Sequence, residues 1–170
     1  MDRKDGANAV IRRGSSILVI RHRYGNPEHS FALPGGSQEE NETPEEAMIR
    51  EVKEETGLIV RKSLHIGKFI QRYRVADGGG TGLLHLFEVN GAQSEEPLVY
   101  PNDEVEWARY MSFKEICENR ENFGLSYFRL ILQYMRCLDG IDTIPFTGKL
   151  SDQVRYEPWG LEDKNIVLRV

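Results

Sequence analysis

The strongest constraint in this sequence is a helix whose two ends are both marked by particular residues. Thr43 is a natural N-cap, Pro44 suits the first helical position, and Glu46 completes a T-x-x-E capping box. Gly57 can adopt the left-handed conformation that ends many helices. Together these signals predict a helix over residues 44–56.

The predicted helix has two chemically different faces. At about 100° per residue, one arc holds the side chains expected to pack on a sheet: Met48, Ile49, Val52 and Thr56. Offsets of three and four bring a second set together as an exposed patch: Glu51, Glu54 and Glu55. These carboxylates repel one another, and Lys53 points away from them. The patch is therefore either a solvated acidic surface or a site that holds a cation.

A hard divalent cation would relieve the repulsion between the carboxylates. Mg²⁺ prefers oxygen ligands and keeps waters and substrate phosphates in its shell. Residues 34–36, Pro-Gly-Gly, precede the helix, and their glycines let backbone carbonyls approach a metal ion. Arg50 lies one turn from both Glu46 and Glu54, where it can brace the acids without neutralising the patch. Acidic surface helices are more common in general, but this spacing favours the cation site.

The rest of the chain alternates strand-like and helix-like segments. Strands are predicted at 8–13, 16–21, 58–66, 68–76, 81–89 and 105–111, and helices at 112–120 and 125–138. The glycine-rich stretch 77–82 lacks the Lys-Ser/Thr of a phosphate loop, so we expect a hairpin turn there. Interleaved strands and helices in one domain indicate an α/β or α+β fold with a mixed sheet.

Composition argues against several classes of protein. A net charge of −5 does not suit a general nucleic-acid coat, which needs clustered Lys and Arg. The charged N-terminus lacks the apolar core of a secretory signal, and apolar runs such as 17–20 are too short to span a membrane. Cys117 and Cys137 lie in predicted helices and are expected to be free thiols. We therefore expect a cytoplasmic protein with no membrane or nucleic-acid partner.

Residues 36–58 match a known family motif at every specified position. Starting at Gly36, they follow G-x5-E-x7-R-E-U-x-E-E-x-G-U, in which U is apolar. This motif is the Nudix box, and the chain resembles the MutT-like Nudix hydrolases over roughly residues 8–138. The resemblance implies an α/β/α sandwich, with a mixed sheet between helices, as a domain over residues 1–138. Residues 139–170 fall outside it and are expected to pack on the same domain as a C-terminal extension.

The resemblance also implies a reaction and a set of site residues. Family members use Mg²⁺ or Mn²⁺ to hydrolyse a nucleoside diphosphate linked to another group, so a small nucleotide is the expected substrate. The implied metal ligands are Gly36 through its carbonyl, Glu51, Glu54 and Glu55. Glu51 is expected to activate the attacking water instead of, or in addition to, binding the metal, and Arg50 is the expected brace with Glu42 as its partner. Bound metal ions neutralise phosphoryl oxygens and make water nucleophilic at neutral pH.

Further site residues are expected outside the motif. The resemblance also implies a further acid from a later loop, acting as metal ligand or base, with Asp103, Glu104 and Glu106 as the candidates and Glu104 ranked first. Arg21 and Arg23 alternate at a strand end and are candidates for binding substrate phosphates, with solvated arginines as an equal alternative. His29 is a candidate substrate contact and Phe31 a candidate for stacking on a base. An exposed loop histidine and a core aromatic are at least as common at such positions.

Two functions are compatible with these residues: a hydrolase, and a domain that binds nucleotides as a sensor without turnover. Sensors commonly lose acids of the motif, and this chain keeps them all, which favours catalysis. The proline that marks many ADP-ribose pyrophosphatases is absent downstream of the motif. We therefore expect a metal-dependent pyrophosphohydrolase of nucleoside di- or triphosphate derivatives, for which a homodimer is left open.

Overall fold

The computed structural model describes residues 5–24, 27–75, 78–90, 104–138 and 155–156. Asp103, the side chain of Cys137 and most of the expected C-terminal extension lie outside this part of the chain. The strands are β1 (Gly6–Arg13), β2 (Ser16–His22), β3 (Phe31–Ala32), β4 (Gly35–Ser37), β5 (Ser63–Val75), β6 (Gly78–Val89), β7 (Val105–Ser112) and β8 (Arg155–Tyr156). The helices are α1 (Pro44–Thr56), α2 (Phe113–Glu118) and α3 (Leu125–Leu138), with short 3-10 turns at Pro27–His29 and Arg120–Asn122.

The sheet is organised around β1. This strand runs parallel to β6 and antiparallel to β2 and β4. The strands follow the order β3-β2-β1-β6-β5-β8, while β4 pairs with β1 and β7 pairs with β2 outside that path. Because parallel and antiparallel pairs occur together, the sheet is mixed, as the sequence predicts.

Alternating side chains of β1 contribute to two separate hydrophobic cores. Ala9 and Ile11 pack on the side of the sheet that α1 covers, together with Met48 of that helix. Val10 packs on the opposite side, in a core that includes Ile131 of α3. Burying one such aliphatic side chain contributes about 1.5–3 kcal/mol, so both helix layers are held by packing. The expected α/β/α sandwich is confirmed.

Helix α1 begins and ends where the sequence predicts. The N–H of Glu46 donates to Thr43 Oγ1 at 3.2 Å, and the Glu46 carboxylate accepts from the Thr43 N–H at 2.8 Å. Gly57 ends the helix in the left-handed conformation, with φ of 73°. One predicted packing residue is wrong, because Ile49 is 37% exposed. The sheet covers the arc around Met48, and Ile49 lies past the edge of that arc.

The long hairpin of β5 and β6 differs from its prediction in two details. In place of the two strands expected at 58–66 and 68–76 there is the single strand β5, which begins only at Ser63 and has a β-bulge between His65 and Gly67. Strand β6 already begins at Gly78, which pairs with Val75. The glycines at 78–80 are therefore strand rather than turn, since they pair with β5 through their backbone.

The two later helices follow the sequence closely. Helix α3 has the predicted bounds, while α2 ends at Glu118, two residues before its predicted end. Cys117 of α2 is a free cysteine, as expected. Within the ranges that the structure describes, no helix has the length and apolar character needed to cross a membrane.

The capping box of α1 supports the first prediction. Thr43→Ala removes the hydroxyl that accepts the Glu46 N–H, and we expect the free energy of unfolding to fall by about 1 kcal/mol. Thr43→Ser keeps the hydroxyl and should stay within a few tenths of the wild-type value, as urea denaturation can measure. Equal losses in the two variants would show that the hydroxyl does not stabilise the helix.

Candidate active site

Two consecutive glycines bring the backbone of β4 against its neighbours. Gly35 has a φ of +142°, and a Cβ there would lie 2.6 Å from Asn8 Cα and overlap the Ala7 carbonyl oxygen. Asn8 is buried, and its Nδ2 donates to the carbonyls of Leu33 at 3.2 Å and Pro34 at 3.4 Å. Only glycine fits at position 35, and Asn8 holds this turn on β1.

The second glycine, Gly36, leaves room for the carboxylate of Glu51. A Cβ at Gly36 would overlap Glu51 Oε1, so the carboxylate of Glu51 packs directly against the backbone of Gly36. The Glu51 side chain is only 15% exposed. Burial raises its pKa, hydrogen bonding to Arg50 opposes the rise, and the charges of Glu54 and Glu104 add to it. Glu51 therefore accepts a proton more readily than an exposed glutamate.

Glu51, Glu54 and Glu55 form the acidic set of this site, and Glu55 is its buried member. It is 4% exposed, and its Oε2 accepts the Gly35 N–H at 2.8 Å. Burial raises the pKa of Glu55 well above its usual range, and the hydrogen bond from Gly35 opposes this effect. The prediction that all three carboxylates are exposed is wrong for Glu55. This residue lies three positions after Val52, on the side of α1 that packs on the sheet. Glu54, at 60% exposed, is the member that faces water.

Arg50 connects the acidic set to the loop before α1. Its Nε and Nη2 donate to the two carboxylate oxygens of Glu42 at 2.9 and 3.0 Å. Its Nη1 donates to Glu51 Oε1 at 2.8 Å and lies 3.5 Å from Glu54 Oε2. The Ser37 carbonyl accepts a further bond from Nη2 at 3.0 Å. The fork of donors thus joins Glu42, β4 and Glu51, and these contacts raise the pKa of Arg50 and lower that of Glu42.

Among the later-loop acids that the structure describes, Glu104 is the one whose charge acts on Glu51 and Glu55. It immediately precedes β7, and its negative charge contributes to the raised pKa of both Glu51 and Glu55. The alternative, Glu106, forms an ion pair with Arg21, whose Nη1 lies 3.2 Å from its Oε2. Arg21 is therefore engaged by a protein carboxylate in this structure.

Of the other three candidates for substrate contact, Phe31 lies on the opposite side of the sheet from the carboxylates of α1. Phe31 packs edge-on against Trp107 and Phe123, with ring centroids 4.9 and 5.3 Å apart. It belongs to the core on the α3 side of the sheet, opposite α1. His29 and Arg23 are exposed, at the end of a 3-10 turn and just after β2 respectively. The structure thus places Phe31 in the core, and the expected substrate contacts of Arg23 and His29 stay predictions.

The donor atoms of the site suit a hard divalent cation. The carboxylates of Glu51, Glu54 and Glu55 and the backbone of Gly36 offer oxygen alone, which is what Mg²⁺ and Mn²⁺ prefer. Mutual repulsion of these acids adds to the raised pKa values of Glu51 and Glu55, and a cation relieves it. In the described part of the chain, no three acidic, His or Cys side chains already form a metal-binding group. These oxygen donors fit such an ion chemically, but the described side chains are not assembled as a closed cage.

Known proteins share this combination of fold and motif. A family model described as the NUDIX domain matches residues 2–133. The chain belongs to the NUDIX family. It is a Nudix hydrolase of the MutT-like kind, as the resemblance of residues 36–58 implies.

Individual relatives agree with the family. An ADP-ribose pyrophosphatase of Methanocaldococcus jannaschii is 29% identical over 133 residues, which cover 78% of this chain and 73% of that protein. A NUDIX hydrolase structure from Nitrosomonas europaea has a TM-score of 0.66 at 23% identity and covers 80% of this chain and 90% of its own. A bifunctional NMN adenylyltransferase/ADP ribose pyrophosphatase from Francisella tularensis has a TM-score of 0.60 at 21% identity, with 79% of this chain and 42% of its own covered. The two structures show a shared fold.

Asn8 and Gly35 shape this Nudix site, although the motif does not include them. Asn8 is the single polar residue among the apolar residues 7–11 of β1, and a polar residue in such a run is a signal of a buried hydrogen-bonding role. Its partners, however, are carbonyls 25 and 26 residues away, which only the folded chain identifies.

The glycine pair gives a second prediction. Gly36→Ala pushes against the end of a flexible side chain, so the protein should fold while Glu51 moves and turnover falls by about 100-fold. Gly35→Ala pushes against backbone at a φ that disfavours other residues, so it should lower the melting temperature far more. Thermal denaturation and hydrolysis assays on both variants check this. Wild-type turnover in Gly36→Ala would show that the position of Glu51 does not matter.

The Arg50 contacts give a third prediction. Arg50→Lys keeps the charge but cannot bind Glu42 through two donors while also reaching Glu51, so kcat should fall by about 10–100-fold. Arg12→Lys is the matched control, because Arg12 pairs with Glu88 at 3.5 Å and stacks on Tyr134 of α3, away from the carboxylates of α1, so kcat should stay at the wild-type value. If Arg50→Lys raises only KM, and does so more for substrates with more phosphates, Arg50 is a phosphate contact and not a brace.

Proposed function

We propose that this Nudix hydrolase is a divalent-metal-dependent pyrophosphohydrolase that cleaves a nucleoside diphosphate linked to a further group. The observation that carries the proposal is the placement of Glu51 and Glu55 against the backbone of residues 35–36, with Glu54 exposed beside them. This arrangement concentrates negative charge at a point where Arg50 compensates only part of it. Such a surface attracts a cation and, through that cation, a phosphate chain.

In this proposal, Glu54, Glu55 and the Gly36 carbonyl bind Mg²⁺, with Mn²⁺ as the alternative. The oxygen donors of the site support this choice. So does the Francisella tularensis structure, whose protein is complexed with AMP and a Mn ion. Glu55 has a further role, because its bond to the Gly35 N–H fixes the backbone beside the proposed ligands.

The proposed reaction is attack of water at a phosphorus of the pyrophosphate. When bound, the cation neutralises charge on the phosphoryl oxygens and lowers the pKa of a water molecule. Glu51 takes the proton of the attacking water, and its raised pKa suits a general base. Arg50 holds one oxygen of Glu51 in place, and Glu104 is the second acid close enough to influence the site. The leaving group departs as a nucleoside monophosphate or another phosphate.

ADP-ribose is the first substrate to test among the nucleoside diphosphate derivatives. The Methanocaldococcus jannaschii relative is an ADP-ribose pyrophosphatase, and its similarity extends over most of both chains. The proline that marks many ADP-ribose pyrophosphatases is missing here, which argues for testing other nucleoside di- and triphosphate derivatives together with ADP-ribose.

The cytoplasmic location, the homodimer and the boundary at residue 138 stay predictions.

A fourth prediction tests the proposed activity with a nucleotide panel. ADP-ribose, other nucleoside diphosphate derivatives and nucleoside triphosphates are incubated with the protein, with and without Mg²⁺ or Mn²⁺. We expect release of monophosphate or pyrophosphate from at least one compound, only when metal is present. Binding without turnover across the panel would instead support a nucleotide sensor, and turnover in chelator would contradict the metal requirement.

Glu54→Gln and Glu118→Gln form a matched pair for the same assay. Both side chains are similarly exposed, at 60% and 59%, and each pairs with a cation one helical turn away. Loss of a metal ligand should lower turnover by on the order of 100-fold or more in Glu54→Gln. Glu118→Gln should keep wild-type turnover. Equal activity in the two variants would exclude Glu54 from the metal site.

A further inference from the structure

A second group of metal-ligating side chains lies on the β5–β6 hairpin. His65 Nε2 and His85 Nδ1 are 3.1 Å apart. In the strand register, Gly36 pairs with Ala7 and Ala7 pairs with His85. Two inter-strand spacings, roughly 10 Å in total, therefore separate His85 from the glycine beside the acidic set. The histidine pair is outside the proposed magnesium site and takes no part in the proposed reaction.

The conformation of β5 brings His65 to its partner. The β-bulge of this strand lies between His65 and Gly67, immediately beside the histidine. Bulges bend a strand and change the direction of neighbouring side chains. His65 also packs edge-on against Phe87, with ring centroids 5.0 Å apart. The aromatic contact and the contact with His85 place the exposed His65 ring beside its partner before any ligand binds.

The spacing of the two nitrogens matches that of a shared transition-metal ion. Two nitrogens bound to Zn²⁺ at about 2.0–2.1 Å with a tetrahedral angle between them lie roughly 3.3 Å apart. The His65–His85 distance of 3.1 Å is close to this value, with one Nε2 and one Nδ1 as donors. We propose that His65 and His85 bind a borderline divalent ion, with Zn²⁺ as the probe, at a site separate from the carboxylates of α1. The ion takes the place of the hydrogen bond between the two rings and links β5 to β6.

The chemistry of the donors separates the two sites. Imidazole nitrogens prefer Zn²⁺, Ni²⁺ and Cu²⁺, whereas carboxylate and carbonyl oxygens suit Mg²⁺. Among the described residues, no third His, Cys, Asp or Glu side chain joins the pair in a metal-binding group, so the proposed site has two side-chain donors there. Lys68 pairs with His85 in the register and is exposed. The positive charge of Lys68 weakens the binding of a cation. The proposed site therefore has a moderate affinity and releases its ion to chelators.

The test is a Zn²⁺ titration of the whole protein in excess Mg²⁺, followed by the ring resonances of its four histidines. The signals of His65 and His85 should shift together and saturate at one ion per chain, while that of exposed His29 stays unchanged. Isothermal titration calorimetry should give the same stoichiometry. Saturation of the protein with Zn²⁺ while the two signals remain in place would overturn the proposal, as would the absence of any Zn²⁺ binding.

Variants of the histidines provide the matched comparison. His65→Ala and His85→Ala should each lose the Zn²⁺ binding that calorimetry detects in the wild type, and His29→Ala should retain it. Zn²⁺ should also raise the melting temperature of the wild type and of His29→Ala, because ligand binding to the native state stabilises it. Neither His65→Ala nor His85→Ala should show this rise. Unchanged Zn²⁺ binding in both variants would place the ion elsewhere.

Discussion

The contact between two carboxylates and the bare backbone of residues 35–36 is the constraint on which the rest of the site depends. Glu55 needs the Gly35 N–H, and Glu51 needs the space that a Cβ at Gly36 would fill. Both require β4 to lie tightly on β1, which Asn8 secures through two backbone carbonyls. The Nudix motif is therefore a single packing unit, in which the glycine and the glutamates must be present together.

Concentrating acids at one end of a helix has a cost that the surrounding fold offsets. Burial and mutual repulsion raise the pKa values of Glu51 and Glu55, so their ionised forms destabilise the protein when no cation is bound. Arg50 reduces this cost through bonds to Glu42 and Glu51. The capped helix and the two cores supply the remaining stability. A site that is strained by its own charge is well suited to binding a cation.

The sequence predicts those features that depend on short-range spacing. The bounds of α1 and the Arg50–Glu42 contact follow from residues within one motif, and the structure has both. Features that depend on how α1 lies on the sheet could not be predicted. Ile49 and Glu55 each fall at an edge of the helix face, and only the sheet decides that the first is exposed and the second buried. The carbonyl partners of Asn8 lie 25 and 26 residues away in the sequence, so these contacts could not be predicted either.

The central claim is that the acids beside Gly36 bind the divalent cation that this Nudix hydrolase uses to cleave a pyrophosphate bond. A crystal structure of the protein with Mn²⁺ and a non-hydrolysable nucleotide tests it most directly, because anomalous scattering locates the ion independently of the refined coordinates. The account predicts an anomalous peak within about 2.0–2.3 Å of carboxylate oxygens of Glu54 and Glu55, with a phosphate oxygen in the same shell. A nucleotide bound with its Mn²⁺ in contact with other residues, and none of these glutamates, would contradict it.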